Sequence, residues 1–171
     1  YKSNPTLNFS NEEKDEGQKI FSKLKIEKKE KYICLLVRDN AFKNVSNKGQ
    51  DLSYHDFRNS DVDDYIDTVR ELNFRGYKVI RMGNFVEKKM NYENKNFIDY
   101  AFWKEKNDFA DIWLMANCFF CITTISGLDE VCVAHRKPLV QVNFLPLEAM
   151  RPFAKGISIF KKLKFKNGNF L

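Results

Sequence analysis

Strand-length apolar runs alternate along this chain with segments in which apolar residues recur at helical spacing. The run YICLLV at 32–37 is almost unbroken, which is typical of a strand covered on both faces in a parallel sheet. Further strands are predicted at 77–83, 97–100, 119–123, 138–143 and 156–160. The near-regular alternation of strand and helix predicts a doubly wound α/β fold.

Each predicted helix combines a capping residue with an apolar stripe. The helices are predicted to begin after Ser10, after Ser60, at Asn107 or Asp108, and at residue 128. The polar stretch from 38 to 59 is predicted to be a long loop that serves a site. No repeat or linker divides the chain, so we expect one domain over residues 1–171 with a Rossmann-like parallel sheet.

Composition narrows the classes of partner only slightly. The chain is 43% apolar, enough for one sizeable core, and its 29 basic and 23 acidic residues give a net charge of +6. This balance favours anionic ligands in general, but it accompanies a bias toward lysine and asparagine. We therefore expect no nucleic-acid partner.

The ends and apolar runs of the chain bear on its location. No apolar run approaches the roughly 18 residues that a membrane span needs, and the opening YKSNPTLNF lacks the pattern of a signal peptide. A cytoplasmic protein is therefore expected. Because the sequence opens without methionine and ends on what reads as a strand or turn, we expect it to be a piece of a longer chain.

Two sets of residues resemble metal ligands but have simpler explanations. Cys118 and Cys121 form a CxxC without a second ligand pair, and their apolar surroundings favour core packing. Asp61, Asp63 and Asp64 imitate a DxD motif, yet they lie in the first turn of a predicted helix, where carboxylates oppose the helix dipole. No bound metal or other cofactor is expected.

Polar residues follow most of the predicted strands at the point where each strand ends. In an open parallel sheet, ligands bind beyond the carboxyl ends of the strands, so these positions are the candidate site. They are Arg38, Asp39, Arg81, Gly83, Thr123, Thr124, Ser126, Gly127 and Asn143. Two arginines, three hydroxyl groups and a glycine at a helix start suit a phosphate group.

The segment TTISGLDE offers backbone N–H groups, hydroxyl groups and a helix N-terminus at one point, which is where a diphosphate would bind. The alternative is an ordinary strand-to-helix turn with Ser126 as its cap. Glu130, in the next helical turn, either reaches a ribose or sugar hydroxyl or only stabilises the helix.

Arg38 ends an apolar strand, where a charge is costly unless it faces a cleft, and its planar guanidinium can hold two phosphate oxygens. The alternative is a structural ion pair with the adjacent Asp39. In the loop that follows, His55, Asp56 and Arg58 lie within four positions. A histidine beside a carboxylate serves as a general base or binds a sugar or phosphate, unless His55 is simply an exposed loop residue.

The segments LLVRDNAF, SYHDFRNSDVDDYIDTVRELNFRGYKVIRMG, NDFADIWLMANCFFCITTISGLDEV and KPLVQVNFLPL resemble a bacterial family of glycosyltransferases from surface-carbohydrate gene clusters. The resemblance covers about residues 5–147 and depends on the combination of VRD, HDFRN, RMG and TISGL. More distantly, Arg38 resembles the arginine of the HxRxxD element of fucosyltransferase-like enzymes, although Leu36 stands where those enzymes have histidine.

This resemblance implies one half of a GT-B glycosyltransferase, namely the carboxyl-terminal, donor-binding domain of a metal-independent enzyme. The partners implied are a nucleotide sugar, a glycan or lipid-linked acceptor in surface polysaccharide synthesis, and a second GT-B domain. The enzyme would work in the cytoplasm or, as a peripheral protein, at the inner face of the cytoplasmic membrane. A non-catalytic nucleotide or sugar-phosphate binding module remains the alternative.

The resemblance also implies roles for the candidate residues. Arg38, Ser126 and the Gly127 amide would hold the diphosphate, and a second group would support it: Arg81, Thr123 and Thr124. His55 and Asp56, together with the rest of the HDFRN loop, would address the sugar or acceptor. Glu130 and Asn143 would bind nucleoside or sugar hydroxyls.

Overall fold

The structure of the protein, a computed structural model, describes residues 5, 7–46, 51, 53–151 and 153–162, and the backbone alone at Ser46 and His55. Its centre is a six-stranded sheet in which every pairing is parallel, with the strand order β3-β2-β1-β4-β5-β6. The strands are β1 (Tyr32–Leu36), β2 (Lys78–Met82), β3 (Phe97–Ile98), β4 (Phe120–Thr123), β5 (Leu139–Phe144) and β6 (Gly156–Phe160). The predicted doubly wound parallel sheet is confirmed.

Five α-helices lie in the described ranges: α1 (Asn11–Lys23), α2 (Ala41–Ser46), α3 (Ile66–Phe74), α4 (Asp108–Asn117) and α5 (Glu130–Ala134). One face of the sheet is covered by α1, α4 and α5, whose apolar side chains pack on Cys34, Leu36 and Ile80. The other face is covered by α3 through Val69, which packs with Ile33. Because both faces are covered, the central strands are fully buried, as the unbroken apolar runs predict.

Local hydrogen bonds shift several predicted boundaries. The stretch from 38 to 59 is not one open loop, because the Asp39 carboxylate accepts the Ala41 N–H at 2.9 Å and α2 begins there, followed by a 3₁₀ turn at Ser53–Arg58. The capping residue before α3 is Asp61, not Ser60; the Asp61 carboxylate accepts the Asp63 N–H at 2.9 Å and starts a 3₁₀ turn that leads into α3.

All four cysteines are buried in the core, and none forms a disulfide. The sulfur atoms of Cys118, which caps the end of α4, and Cys132, in α5, lie 3.8 Å apart. Their position agrees with the core-packing interpretation of the CxxC. Of the helices in the described ranges, none combines the length and the apolar character that a membrane crossing requires.

The chain leaves β1 toward β2 on one side, and later crosses to β4 on the other side of β1. In doubly wound sheets this reversal of strand order opens a crevice at the carboxyl ends of the two central strands. The fold therefore places the residues after β1 and β4 at the point where a ligand is expected.

Candidate functional site

A cavity of about 340 Å³ opens at the carboxyl ends of β1 and β4. We call it the switch-point pocket. Its walls come from the ends of β1 and β2, the helices α2 and α4, and the turn after β4. It is lined by Leu36, Val37, Arg38, Asp39, Phe42, Lys43, Gly83, Asn84, Phe85, Val86, Asp111, Ser126, Gly127 and Leu128.

The structure brings five of the predicted site residues together in this pocket: Arg38, Asp39, Gly83, Ser126 and Gly127. The ends of β1 and β4 are tied directly, because the backbone N–H of Arg38 donates to the Thr124 hydroxyl oxygen at 2.8 Å. Most of the remaining lining is apolar and includes the rings of Phe42 and Phe85, whose centroids lie 6.3 Å apart. The pocket thus combines a polar end with a surface suited to a ring.

Arg38 and Arg58 carry charges that the described part of the fold leaves unpaired. The Nε atom of each is buried without a hydrogen bond, and neither guanidinium forms an ion pair with any described residue. Burial lowers the pKa of Arg38, repulsion from Arg58 lowers it further, and Asp56 partly opposes the shift. Two half-buried like charges destabilise each other, so an anion bound between or beside them would be strongly favoured.

Asp39 does not form an ion pair with Arg38, which is the structural alternative for this pair of residues. One carboxylate oxygen accepts the Ala41 N–H, and the other accepts the Glu87 N–H, each at 2.9 Å. Asp39 therefore holds α2 and the loop after β2 beside the pocket. This arrangement leaves the Arg38 guanidinium available.

The turn after β4 satisfies most of its polar groups internally. The Thr123 hydroxyl donates to Asp129 at 2.8 Å and accepts the Ile125 N–H at 3.1 Å. The Thr124 hydroxyl oxygen accepts a hydrogen bond from the backbone N–H of Arg38. Both threonines are buried. They brace the turn and do not line the pocket, so the structure corrects the expectation that their hydroxyl groups face a phosphate.

Asp129 organises this turn, and the sequence reasoning missed it. Its Oδ2 accepts both the Thr123 hydroxyl and the Ser126 N–H, the latter at 3.1 Å, although the residue is only 1% exposed. The Ser126-to-Asp129 spacing is that of a capping box, which is the signal that could have found it. The turn also holds Ile125 at φ +66°, a left-handed conformation that β-branched residues rarely adopt.

Burial is the main cause of a raised pKa at Asp129, while its two hydrogen bonds oppose the shift. A carboxyl whose pKa is higher in the folded state binds its proton more tightly there, so its contribution to the free energy of unfolding falls as the pH rises through that pKa. Asp129→Asn keeps an acceptor without the charge. We expect the stability of this variant relative to the wild type to improve as the pH rises from 4 to 7, measured by urea denaturation at each pH. A difference independent of pH would contradict this.

Arg81 lies away from the pocket. It is only 1% exposed, and its Nη1 forms an ion pair with Asp99 at 3.3 Å and donates to the Lys88 carbonyl at 2.6 Å. It therefore anchors the loop after β2 and does not support a phosphate. Gly83 does line the pocket, at φ +150°, and an added Cβ would lie 2.6 Å from a Val86 methyl group.

The HDFRN segment contributes differently from the expectation. Asp56 is exposed and forms an ion pair with Lys43 at 2.5 Å, which is the main reason that its pKa is lowered. A carboxylate held in its ionised form by a cation is a weak base, so its clearest role is to position Lys43, a pocket residue that the sequence did not single out. The His55 side chain lies outside the described residues.

Asn143 and Glu130 are engaged outside the pocket lining. The Asn143 amide donates to the Ser60 hydroxyl at 3.0 Å, and Glu130 forms an ion pair with Arg151. In the DxD-like segment, the Lys88 ammonium contacts Asp61 and Asp63, each at 2.7 Å. Over the described ranges, no three His, Cys, Asp or Glu side chains are grouped so as to hold a metal ion.

Asp111, in the first turn of α4, is a further pocket residue that the sequence reasoning missed. Its Oδ1 accepts a hydrogen bond from the Tyr100 hydroxyl at 2.6 Å. Burial is the main cause of a raised pKa at Asp111, which the Tyr100 bond partly offsets. In sequence it is indistinguishable from an acidic residue that stabilises a helix N-terminus.

Comparison with known proteins identifies the class of fold. No protein-family model and no curated protein matches the chain. Two solved structures match: a glycosyl transferase family 9 protein from Veillonella parvula DSM 2008, with a TM-score of 0.65 and 15% identity, and the E. coli ADP-heptose LPS heptosyltransferase II, with a TM-score of 0.64 and 17% identity.

The matches cover 92% and 96% of this chain but only 43% and 47% of the two solved chains. The chain thus spans slightly less than half the length of these structures. It has the α/β fold, with an all-parallel six-stranded sheet, that forms one half of GT-B glycosyltransferases. At this level of identity the similarity defines the fold, and the chemistry has to be argued from the pocket.

Proposed function

We propose that this chain is the donor-binding domain of a GT-B glycosyltransferase, which transfers a sugar from a nucleoside-diphosphate sugar to a glycan or lipid-linked acceptor without a bound metal ion. The observation that carries the proposal is the unpaired Arg38 guanidinium in a pocket at the switch point, beside Ser126 and Gly127. Similarity to two glycosyltransferases in fold supports the same class of reaction.

The charges around the pocket suit a leaving diphosphate. Arg38 and Lys43 line the pocket, and Arg58 is close enough to lower the pKa of Arg38. Breaking a glycosidic bond to a nucleoside diphosphate leaves negative charge on the β-phosphate, and fixed cations stabilise that charge as it develops. Arg38 would bind two phosphate oxygens, and Lys43 and Arg58 would add to the positive potential.

The turn after β4 supplies the second half of the diphosphate site. Gly127 has no Cβ, and added atoms there would meet nothing within 4 Å, so the approach to its backbone is open. Asp129 and the two buried threonines fix the turn so that Ser126 and Gly127 keep their positions in the pocket. Preorganisation of this kind lowers the cost of binding.

The other predicted residues take revised places in this proposal. Asp39 and Gly83 shape the pocket, Asp56 positions Lys43, and Arg81 serves stability. Glu130 and Asn143 would contact ligand only outside the lining described above, and His55 would address the sugar or acceptor. The base that deprotonates the acceptor would come from the second GT-B domain or from the HDFRN segment.

Transfer activity distinguishes this proposal from a non-catalytic nucleotide or sugar-phosphate binding module. The full-length protein, with this domain joined to its second GT-B domain, should be incubated with UDP-, GDP- and ADP-sugars and with candidate glycan and lipid-linked acceptors. ADP-sugars are included because one similar structure is named for ADP-heptose. Acceptor-dependent release of the nucleoside diphosphate, unaffected by EDTA, is expected. Tight donor binding with no release under any acceptor would favour the binding module.

A further inference from the structure

The Asp111 carboxylate has one oxygen committed and one available. Its Oδ1 accepts the Tyr100 hydroxyl at 2.6 Å, whereas its Oδ2 accepts no hydrogen bond from any described residue. Tyr100 is fully buried and packs against the Trp103 ring, with centroids 5.6 Å apart, so its hydroxyl group is held in place. A rigid donor that fixes one carboxylate oxygen also fixes the direction of the other.

Among the described residues that line the pocket, Asp111 is the carboxylate with an oxygen that accepts no hydrogen bond. The other acid there, Asp39, uses both oxygens on backbone N–H groups. A carboxylate repels phosphate, so its ligand partner has to be a hydrogen-bond donor. A molecule whose diphosphate binds Arg38 has hydroxyl groups as its most abundant donors, on the ribose and on the sugar.

The apolar part of the same pocket fits this division. Phe42, Phe85, Val86 and Leu128 offer a surface for a ring, and Asp111 adds a carboxylate acceptor to the same lining. Such a site, a largely apolar wall with one oriented polar group, is typical of specificity for a ring that carries hydroxyl groups. A site built to bind a hydroxyl group discriminates against ligands that lack it.

We propose that Asp111 accepts a hydrogen bond from a ring hydroxyl of the ligand whose diphosphate binds Arg38, and that Tyr100 is the positioning residue that orients this carboxylate. The proposal rests on the proposed function. Asp111 is a specificity-determining residue, and it does not take part in holding the diphosphate. The hydroxyl belongs either to the ribose or to the transferred sugar.

Calorimetric titration of five ligands tests this: pyrophosphate, the preferred nucleoside diphosphate, its 2′-deoxy form, its 3′-deoxy form, and the nucleotide sugar. Asp111→Ala should lower the affinity for the ligand that carries the recognised hydroxyl about tenfold or more, as expected for a hydrogen bond to a charged acceptor. The affinity for pyrophosphate should not change. Asp111→Asn, which keeps the acceptor for Tyr100, should show an intermediate loss, and so should Tyr100→Phe.

The ligands also identify the source of the hydroxyl. If it is on the ribose, a deoxy form should bind the wild type and Asp111→Ala equally. If the hydroxyl is on the transferred sugar, Asp111→Ala should lower the affinity for the nucleotide sugar only. Asp108→Asn is the matched control, because it removes an exposed carboxylate from the same first turn of α4.

Two results would overturn the role of Asp111 alone: unchanged affinity of the Asp111 variants for every ligand, or an equal loss for pyrophosphate and the hydroxyl-bearing ligands, which would indicate a structural tie between Tyr100 and α4. Absence of any diphosphate binding by the wild type would overturn the proposed function, and this proposal with it.

Discussion

Arg38→Ala should abolish the rise in melting temperature that a nucleoside diphosphate or nucleotide sugar gives the wild-type protein. Hydrogen bonds to a charged group contribute about 1.5–3 kcal/mol, so removing the guanidinium should weaken binding roughly 10- to 150-fold. At a ligand concentration of a few times the wild-type Kd, the variant is then mostly free of ligand, and the stabilisation nearly disappears. Thermal denaturation with and without ligand measures this.

The unliganded variant should be at least as stable as the wild type, because the substitution removes the repulsion between Arg38 and Arg58. Arg70→Ala is the matched control, since Arg70 forms an exposed pair with Asp67 on α3. The control should keep the full ligand-induced shift. Equal ligand-induced shifts in Arg38→Ala and wild type would show that Arg38 is not part of the binding site.

Arg81→Ala should lower the free energy of unfolding by about 3–5 kcal/mol, the usual cost of breaking a buried ion pair by removing one partner. The Asp99 carboxylate would lose its ion pair, and the Lys88 carbonyl would lose the donor that holds the loop after β2. Urea denaturation measures the loss. Where the variant still folds, its ligand-induced stabilisation should persist, because Arg81 lies away from the pocket.

Arg75→Ala gives the control for this second variant. Arg75 forms an exposed ion pair with Glu71, and pairs of that kind contribute about 1 kcal/mol or less. A loss no larger in Arg81→Ala than in Arg75→Ala would contradict the structural role of Arg81. If Arg81→Ala lost ligand binding while its stability was unchanged, Arg81 would belong to the binding site.

The architecture was predictable because covered strands have a distinctive pattern. The unbroken apolar run at 32–37 is typical of a central parallel strand, which is buried on both faces. In the structure it forms β1, in which every residue is buried. Arg38 and the TISG turn were predictable as neighbours for the same reason, since strand ends meet at one edge of a parallel sheet. The pocket that contains both agrees with that geometry.

Contacts between distant parts of the chain were not predictable. Arg38 and Arg81 both lie at the ends of apolar runs, so the sequence does not distinguish their roles. Arg81 is structural because it pairs with Asp99, which lies 18 residues further along the chain. From the sequence, the Thr123 hydroxyl is expected to bind a phosphate, but in the structure it donates a hydrogen bond to Asp129. Asp111 reads as a helix-terminal charge, because its role depends on a pocket formed by four separate segments.

Calorimetric titration of the protein with UDP, GDP and ADP, each compared with its nucleoside and at two salt concentrations, tests the central claim most directly. We predict that at least one diphosphate binds, that its nucleoside binds at least about tenfold more weakly because it cannot engage Arg38, and that added salt weakens the diphosphate more than the nucleoside. A protein that binds none of the diphosphates, or binds a nucleoside as tightly as its diphosphate, would contradict a diphosphate site in the switch-point pocket.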